Sequence, residues 1–278
     1  CDFTFENGRS YELEICYVCD VNGNNLALCI DQHGEDIDRA VELAKRCDVA
    51  IVVCGDDKTT SGEGMDRNEL RLYGKQPELV HRVCEANPNT ILILENGKPV
   101  DLSVEKDEAA AILVAWFGGE LGACAIADAL LGNISPAGRL PISFPKCVGA
   151  LPCYYSQLPG GSPFYLEGRR QELFPFGYGL SYTKFEYANL SIEKQNHPYS
   201  YRVFATIKNI GTVASDEVVQ LYIKDVHSSV VTPELTLQGF QRIHLLPGEE
   251  KSVSFQLDFN SFRLMNIQYE WVVEPGLF

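Results

Sequence analysis

The chain has no apolar run near the roughly 20 residues that cross a bilayer, so a membrane-spanning helix is not part of the reading. It is short of positive charge: 23 Lys and Arg stand against 38 Asp and Glu, a formal net charge of -15. A nucleic-acid partner wants a basic face, so that class is set aside, while a neutral ligand such as a sugar is compatible. No leader peptide is visible, but the first residue is Cys1 rather than Met, so that lack carries no weight. His, Cys, Asp and Glu do not cluster at metal-ligand spacing. Cys16-Tyr-Val-Cys19 is half a zinc motif with no second half and no His at ligand distance. Gly132 to Gly138 lacks the spacing and strand context of a dinucleotide loop. Neither a metal nor a cofactor is expected.

What is present is a chain of 278 residues with a hydrophobic content of 45%, enough for one large domain or two ordinary ones. Of the ten cysteines, Cys47, Cys54, Cys84 and Cys124 fall in apolar helix or strand patterns. A free Cys in such a place acts as a small buried hydrophobe. That favours reduced thiols and leans towards a cytoplasmic setting, with a secreted or periplasmic one as the alternative.

Residues 1–33 read as short strands: Tyr11 to Tyr17 alternates with period two, and Asn7-Gly8 and Asn22-Gly23 are turn signals. Three strands make no core alone, so this stretch reads as the end of a β-domain or insert. Residues 34–150 switch to alternating helices and strands. Ile37, Ala40, Val41 and Ala44 fall at helical spacing behind Asp36, a plausible cap. Val49–Cys54, Thr90–Leu94 and Ala111–Phe117 read as strands covered on both faces. Pro77 suits the first turn of a second helix, and Glu120–Leu131 is a third, stopped by Gly132. Leu140–Phe144 reads as a short final strand. This alternation predicts an α/β layered sandwich with a parallel sheet. Residues 151–182 form an aromatic linker whose rings are expected to pack between domains, with a sugar site as the other use for them. Residues 183–278 alternate as in Ser252-Val253-Ser254-Phe255-Gln256-Leu257, which predicts a β-sandwich.

The chemistry-bearing stretch is Gly55 to Arg67. It follows the strand Val49–Cys54 and holds four carboxylates (Asp56, Asp57, Glu63, Asp66), three glycines and Arg67. In open α/β sheets, ligands bind where such loops leave the carboxyl ends of strands. Glu63 lies between Gly62 and Gly64, so the backbone can turn sharply and present its carboxyl group. A plain solvated acidic loop is the competing reading. To serve as an acid near neutrality, a lone carboxyl needs a raised pKa. Asp56, Asp57 and Asp66 are expected to supply that by their charge, and Asp66 and Arg67 to pair with each other or with neighbours and fix the loop.

Several motifs in order make a pattern. Ser61-Gly62-Glu63-Gly64-Met65-Asp66-Arg67 is followed by Asn87-Pro88-Asn89-Thr90 leading to Asn96-Gly97-Lys98-Pro99-Val100. Then come Gly118-Gly119-Glu120-Leu121-Gly122, Gly132 through Pro141, and Phe176-Gly177-Tyr178-Gly179-Leu180-Ser181-Tyr182. Together they resemble the C-terminal half of glycoside hydrolase family 3. Asp216 to Tyr222 resembles its fibronectin type III-like domain, and residues 1–33 resemble the end of a protective-antigen-like β-insert. Tyr73 departs from the family's usual Pro before Gly.

The resemblance implies a retaining β-glycosidase acting on oligosaccharides or glycosides with terminal β-linked glucose or xylose. Retention uses two carboxyl groups about 5–5.5 Å apart. The resemblance implies that Glu63 is the acid/base, with Asp66 and Arg67 binding substrate or positioning the loop. It puts the nucleophile on an N-terminal (β/α)8 barrel outside these residues, so this chain alone is expected to be inactive. A non-catalytic carbohydrate-binding or scaffold module is the alternative. The exposed carboxyl between two glycines separates the two, since a pure scaffold has no use for it.

Overall fold

A computed structural model describes residues 36–160, 166 and 172–278. The β-segment expected at 1–33 lies outside the described residues, as do 161–165 and 167–171 of the linker.

Helix α1 (Asp36–Ala44) leads to strand β1 (Ala50–Gly55), helix α2 (Gln76–Ala86) and strand β2 (Thr90–Glu95). A short helix α3 (Glu105–Glu108), strand β3 (Ala111–Val114) and helix α4 (Gly122–Leu130) follow. The three strands form a parallel sheet in the order β1-β2-β3, in register through Val52, Leu92 and Ile112. Pro77 does sit in the first turn of α2. Asn87, which ends that helix, is buried, and its amide donates to the carbonyls of Ala44 (3.0 Å) and Cys47 (2.8 Å). One side chain thus ties down two carbonyls at and just beyond the end of α1. The core joins Val52 and Cys54 of β1, Val80 and Val83 of α2, Leu92 and Leu94 of β2, and Leu102 and Phe144.

Only one face of β1 is covered among the described residues. Val52 and Cys54 are 7% and 5% exposed, but Ile51 and Val53 are 52% and 57% exposed. The expectation of two covered faces fails here because the helical residues in the core pack on the Val52 side alone. The six described cysteines are free, and Cys54 and Cys84 are buried as expected, with burial pushing the Cys54 thiol up to about 11. Cys47 and Cys124 are exposed. The first lies in the turn beyond α1, and the second on α4, which buries only Gly122 and Ala129. Nor does Leu140–Phe144 form a full strand. Only β4 (Phe144–Pro145) is regular, and it pairs antiparallel with β5 (Glu172–Phe174).

The second half is a β-sandwich. One sheet has the order β10 (Glu250–Leu257), β7 (Tyr201–Asn209), β6 (Phe185–Lys194); the other pairs β8 (Ser215–Ile223) with β9 (Thr236–Leu245), all antiparallel. Ile207 and Val253 of the first sheet meet Val219 and Leu245 of the second. Asn209 is fully buried and ties three loops. Its amide donates to the carbonyls of Val213 and Leu245, and its oxygen accepts from Thr183 and Gly211.

The aromatic linker joins the halves. Phe176 N–H donates to Ser143 Oγ and Gly177 N–H to the Leu140 carbonyl, while Gln220 of β8 donates to the Gly177 carbonyl. Beside them Arg139 pairs with Glu217 of β8 at 2.5 Å, with side chains 11% and 9% exposed. Glu217 also accepts from the Tyr187 hydroxyl at 2.7 Å. The rings are less enclosed than expected. Phe174 and Phe176 are half-buried, but Tyr178 and Tyr182 are 40% and 50% exposed. They are held in other ways: Tyr182 donates its hydroxyl to the Ala129 carbonyl at 2.9 Å, and Tyr178 stacks on Phe174 at 5.4 Å.

Candidate active site

Because β1, β2 and β3 are parallel and adjacent, the loops after them leave from the same edge of the sheet. They touch at Gly97. A Cβ there would lie 2.8 Å from the Phe117 ring and 3.0 Å from Ser61 Oγ. Ser61 follows β1, Gly97 follows β2 and Phe117 follows β3. Trp116, beside Phe117, takes φ 54, a left-handed conformation that costs a non-glycine residue about 1–2 kcal/mol. Its ring packs 5.9 Å from that of Phe144.

The loop Gly55–Arg67 is held at its base. Gln76 clasps the end of β1 from both sides: Gly55 N–H donates to its Oε1, and its Nε2 donates to the Gly55 carbonyl, both at 2.9 Å. Asp56, with a side chain 3% exposed, accepts from Lys98 Nζ at 2.9 Å. Lys98 Nζ also donates to the Thr60 carbonyl at 3.1 Å, and Thr60 Oγ1 to Asp56 at 3.2 Å. Asp57 accepts from the Thr59 hydroxyl at 2.6 Å and its N–H at 2.7 Å. Those bonds, the hydroxyl's first, hold its carboxyl below the usual carboxylate range.

Glu63 stands apart from this base. A hydrogen bond from Met65 N–H to the Gly62 carbonyl (3.1 Å) closes a turn with Glu63 at its tip. The side chain is exposed, and its carboxylate has no partner among the described residues. Gly64 has φ 74 and nothing within 4 Å of where a Cβ would lie, so the backbone conformation alone calls for glycine. Asp66 is exposed and likewise without a partner among the described residues. Arg67 does not meet Asp66; it donates to the Arg71 carbonyl at 2.8 Å and lies over the Tyr73 ring at 5.3 Å.

Known proteins resemble this chain in sequence and fold. Residues 8–182 match the glycosyl hydrolase family 3 C-terminal domain, and residues 217–278 match the fibronectin type III-like domain. The chain belongs to glycoside hydrolase family 3. It is 37% identical over 255 residues to a periplasmic β-glucosidase of Salmonella typhimurium, covering 87% of this chain and 33% of that protein. A β-xylosidase of Formosa agariphila is 38% identical over 250 residues, covering 88% and 35%. The crystal structure of a Listeria innocua β-glucosidase in complex with glucose superposes with a TM-score of 0.83 at 33% identity, covering 88% and 36%. The chain therefore spans about a third of the length of the relatives it matches.

In this family 3 chain the loop's carboxylates divide. Asp56 is paired with Lys98 and Asp57 is turned towards Thr59, so both side chains are engaged at the base of the loop. Sequence reasoning missed Lys98, Gln76 and Thr60 as the parts that fix the loop. A signal for Lys98 was present: Asn96-Gly97-Lys98-Pro99 follows a strand expected to lie parallel to β1, which places that turn beside the loop.

Proposed function

We propose that this chain supplies Glu63 as the acid/base of a retaining β-glycosidase that removes terminal β-linked glucose or xylose from oligosaccharides or glycosides. The observation that supports it is the division of the loop. Two carboxylates hold its base, and of the two left, Glu63 alone occupies the tip of a glycine-flanked turn at the carboxyl edge of the sheet. A group poised there can protonate a leaving oxygen and later take a proton from water. Asp66 and Arg67 flank it as substrate-binding or loop-positioning residues. The nucleophile comes from a (β/α)8 barrel outside these residues, which closes over the loop and shields Glu63 from water. The proposed division is a β-segment at 1–33, an α/β domain at 34–150, a linker at 151–182 and a fibronectin-like domain at 183–278.

The test is Glu63→Ala in the full-length protein. Turnover of substrates with poor leaving groups falls about 10²–10⁴-fold, and that of activated aryl glycosides falls less. Azide restores turnover of the activated substrates by replacing the missing base and yields a β-glycosyl azide. The present chain alone hydrolyses no aryl β-glycoside. If poor leaving groups were still cleaved at the parent rate, the acid/base role would pass to Asp66 or Asp57.

A further inference from the structure

A cleft of about 900 Å³ opens between the linker and the fibronectin-like half, remote in sequence from the loops after β1, β2 and β3. Its volume lies within the range of small-ligand sites. Tyr154, Tyr155 and Tyr178 line it and are 53%, 37% and 40% exposed. Two of these rings are backed. Tyr155 stacks on Phe176 at 4.3 Å and Tyr178 on Phe174 at 5.4 Å, each with planes 18° apart. A ring with one face packed and a large share of its surface open is a rigid platform. Such platforms take the C–H faces of sugar rings.

The polar groups of the cleft fall into two sets. Arg139, Glu217, Gln220 and Tyr222 are bonded among themselves or to neighbouring backbone and form a fixed wall. Gln157, Glu172 and Glu234 have side chains bonded to no described residue. They offer two carboxylates and an amide, and the one cation among the described lining residues, Arg139, is neutralised by Glu217. Acceptors without a free cation suit a neutral donor of many hydroxyl protons and repel an anion. We infer that this cleft is a second carbohydrate-binding site that takes a neutral β-linked oligosaccharide, stacked on Tyr155 and Tyr178, edged by Tyr154, the most open of the three rings, and hydrogen-bonded by Gln157, Glu172 and Glu234. The chemistry of the cleft carries this assignment independently of any role for Glu63.

The test is calorimetric titration of the purified 278-residue chain with cellotetraose and with xylotetraose. Saturable binding is expected to at least one of them. Tyr154→Ala, on an exposed loop, weakens it roughly tenfold, and Gln157→Ala weakens it as well. Tyr154→Trp keeps the affinity and places a fluorophore in the cleft whose emission shifts on titration. Glu63→Gln leaves the affinity unchanged, so loss of this site and loss of the acid/base role are read separately. Four results would overturn the inference: no saturable binding at millimolar sugar; undiminished affinity in Tyr154→Ala; loss of binding in Glu63→Gln; or displacement of the sugar by simple phenols or acidic oligosaccharides at equal concentration.

Discussion

The loop that carries Glu63 and the junction that carries Glu217 treat a carboxylate in opposite ways. Glu217 is buried, and its two oxygens are taken by Arg139 and Tyr187. Its geometry is fixed by residues 78 and 30 positions away in the chain. Glu63 is exposed and rests on a turn closed by one backbone hydrogen bond, with its own oxygens open among the described residues. A buried charge must be fully paired because an unpaired one is costly away from water. The acid/base role proposed for Glu63 calls for the opposite, because its oxygens must be open to exchange a proton. A third carboxylate lies between these extremes. Glu105 is 2% exposed, its Oε1 stands 3.9 Å from Arg71, and its Oε2 has no partner among the described residues.

The comparison breaks most easily at the junction. Arg139→Met leaves Glu217 buried with only Tyr187, and such a loss costs about 3–5 kcal/mol. Urea unfolding of the parent and the variant measures it, and the double variant Arg139→Met, Glu217→Leu recovers most of the loss. A cost near zero for the single variant would mean that packing, not charge, holds the two halves. At the base of the loop the effect is smaller, because Lys98 is 31% exposed and water can partly replace it. Lys98→Met strands Asp56 and costs about 2 kcal/mol. Amide hydrogen exchange at residues 60–67 quickens with it, while exchange in the second half of the chain does not change.

The smallest effect is the most diagnostic for pH. Burial raises the Glu105 carboxyl above its ordinary value, and Arg71 only partly opposes this. The folded state therefore keeps the proton to higher pH than the unfolded chain, whose Glu titrates near about 4.3. Stability from this group is full below that pH and is lost as pH rises through the raised folded pKa. Glu105→Gln removes that loss, so relative to the parent it gains stability between pH values near 4 and neutrality. Urea midpoints of both proteins at the two ends of that window check the sign. A parent curve that gains on the variant as pH rises would show that Arg71 outweighs burial.

Much of this was legible in the sequence where the signal is local. The strand expected at Val49–Cys54 appears at Ala50–Gly55, and Glu63 stands at the tip of its loop as its two glycines implied. Pro77 marked the start of α2, and the clean alternation of Ser252 to Leu257 marked β10. The rest depended on partners far along the chain. The apolar run of β1 does not reveal that Ile51 and Val53 face outward, because their composition suits either side. Arg139 looked like part of a Pro- and Gly-rich loop, and no local pattern ties it to Glu217. Asp56 read as one more loop acid, since its pairing with Lys98 exists only once β1 and β2 lie side by side.

Gly97 carries a consequence for how this region can change over generations. The three loops close around a hydrogen atom where any other residue would place a carbon, and that carbon would press on Phe117 and Ser61 together. Ser61 is two residues from Glu63. A single added methyl at position 97 would therefore act as a spacer, pressing on Phe117 and on the loop that carries Glu63 without changing any residue of that loop. Under the role proposed for Glu63, the reach of its carboxyl is adjustable from a neighbouring strand's loop, a dial for leaving-group preference that is separate from the residue itself.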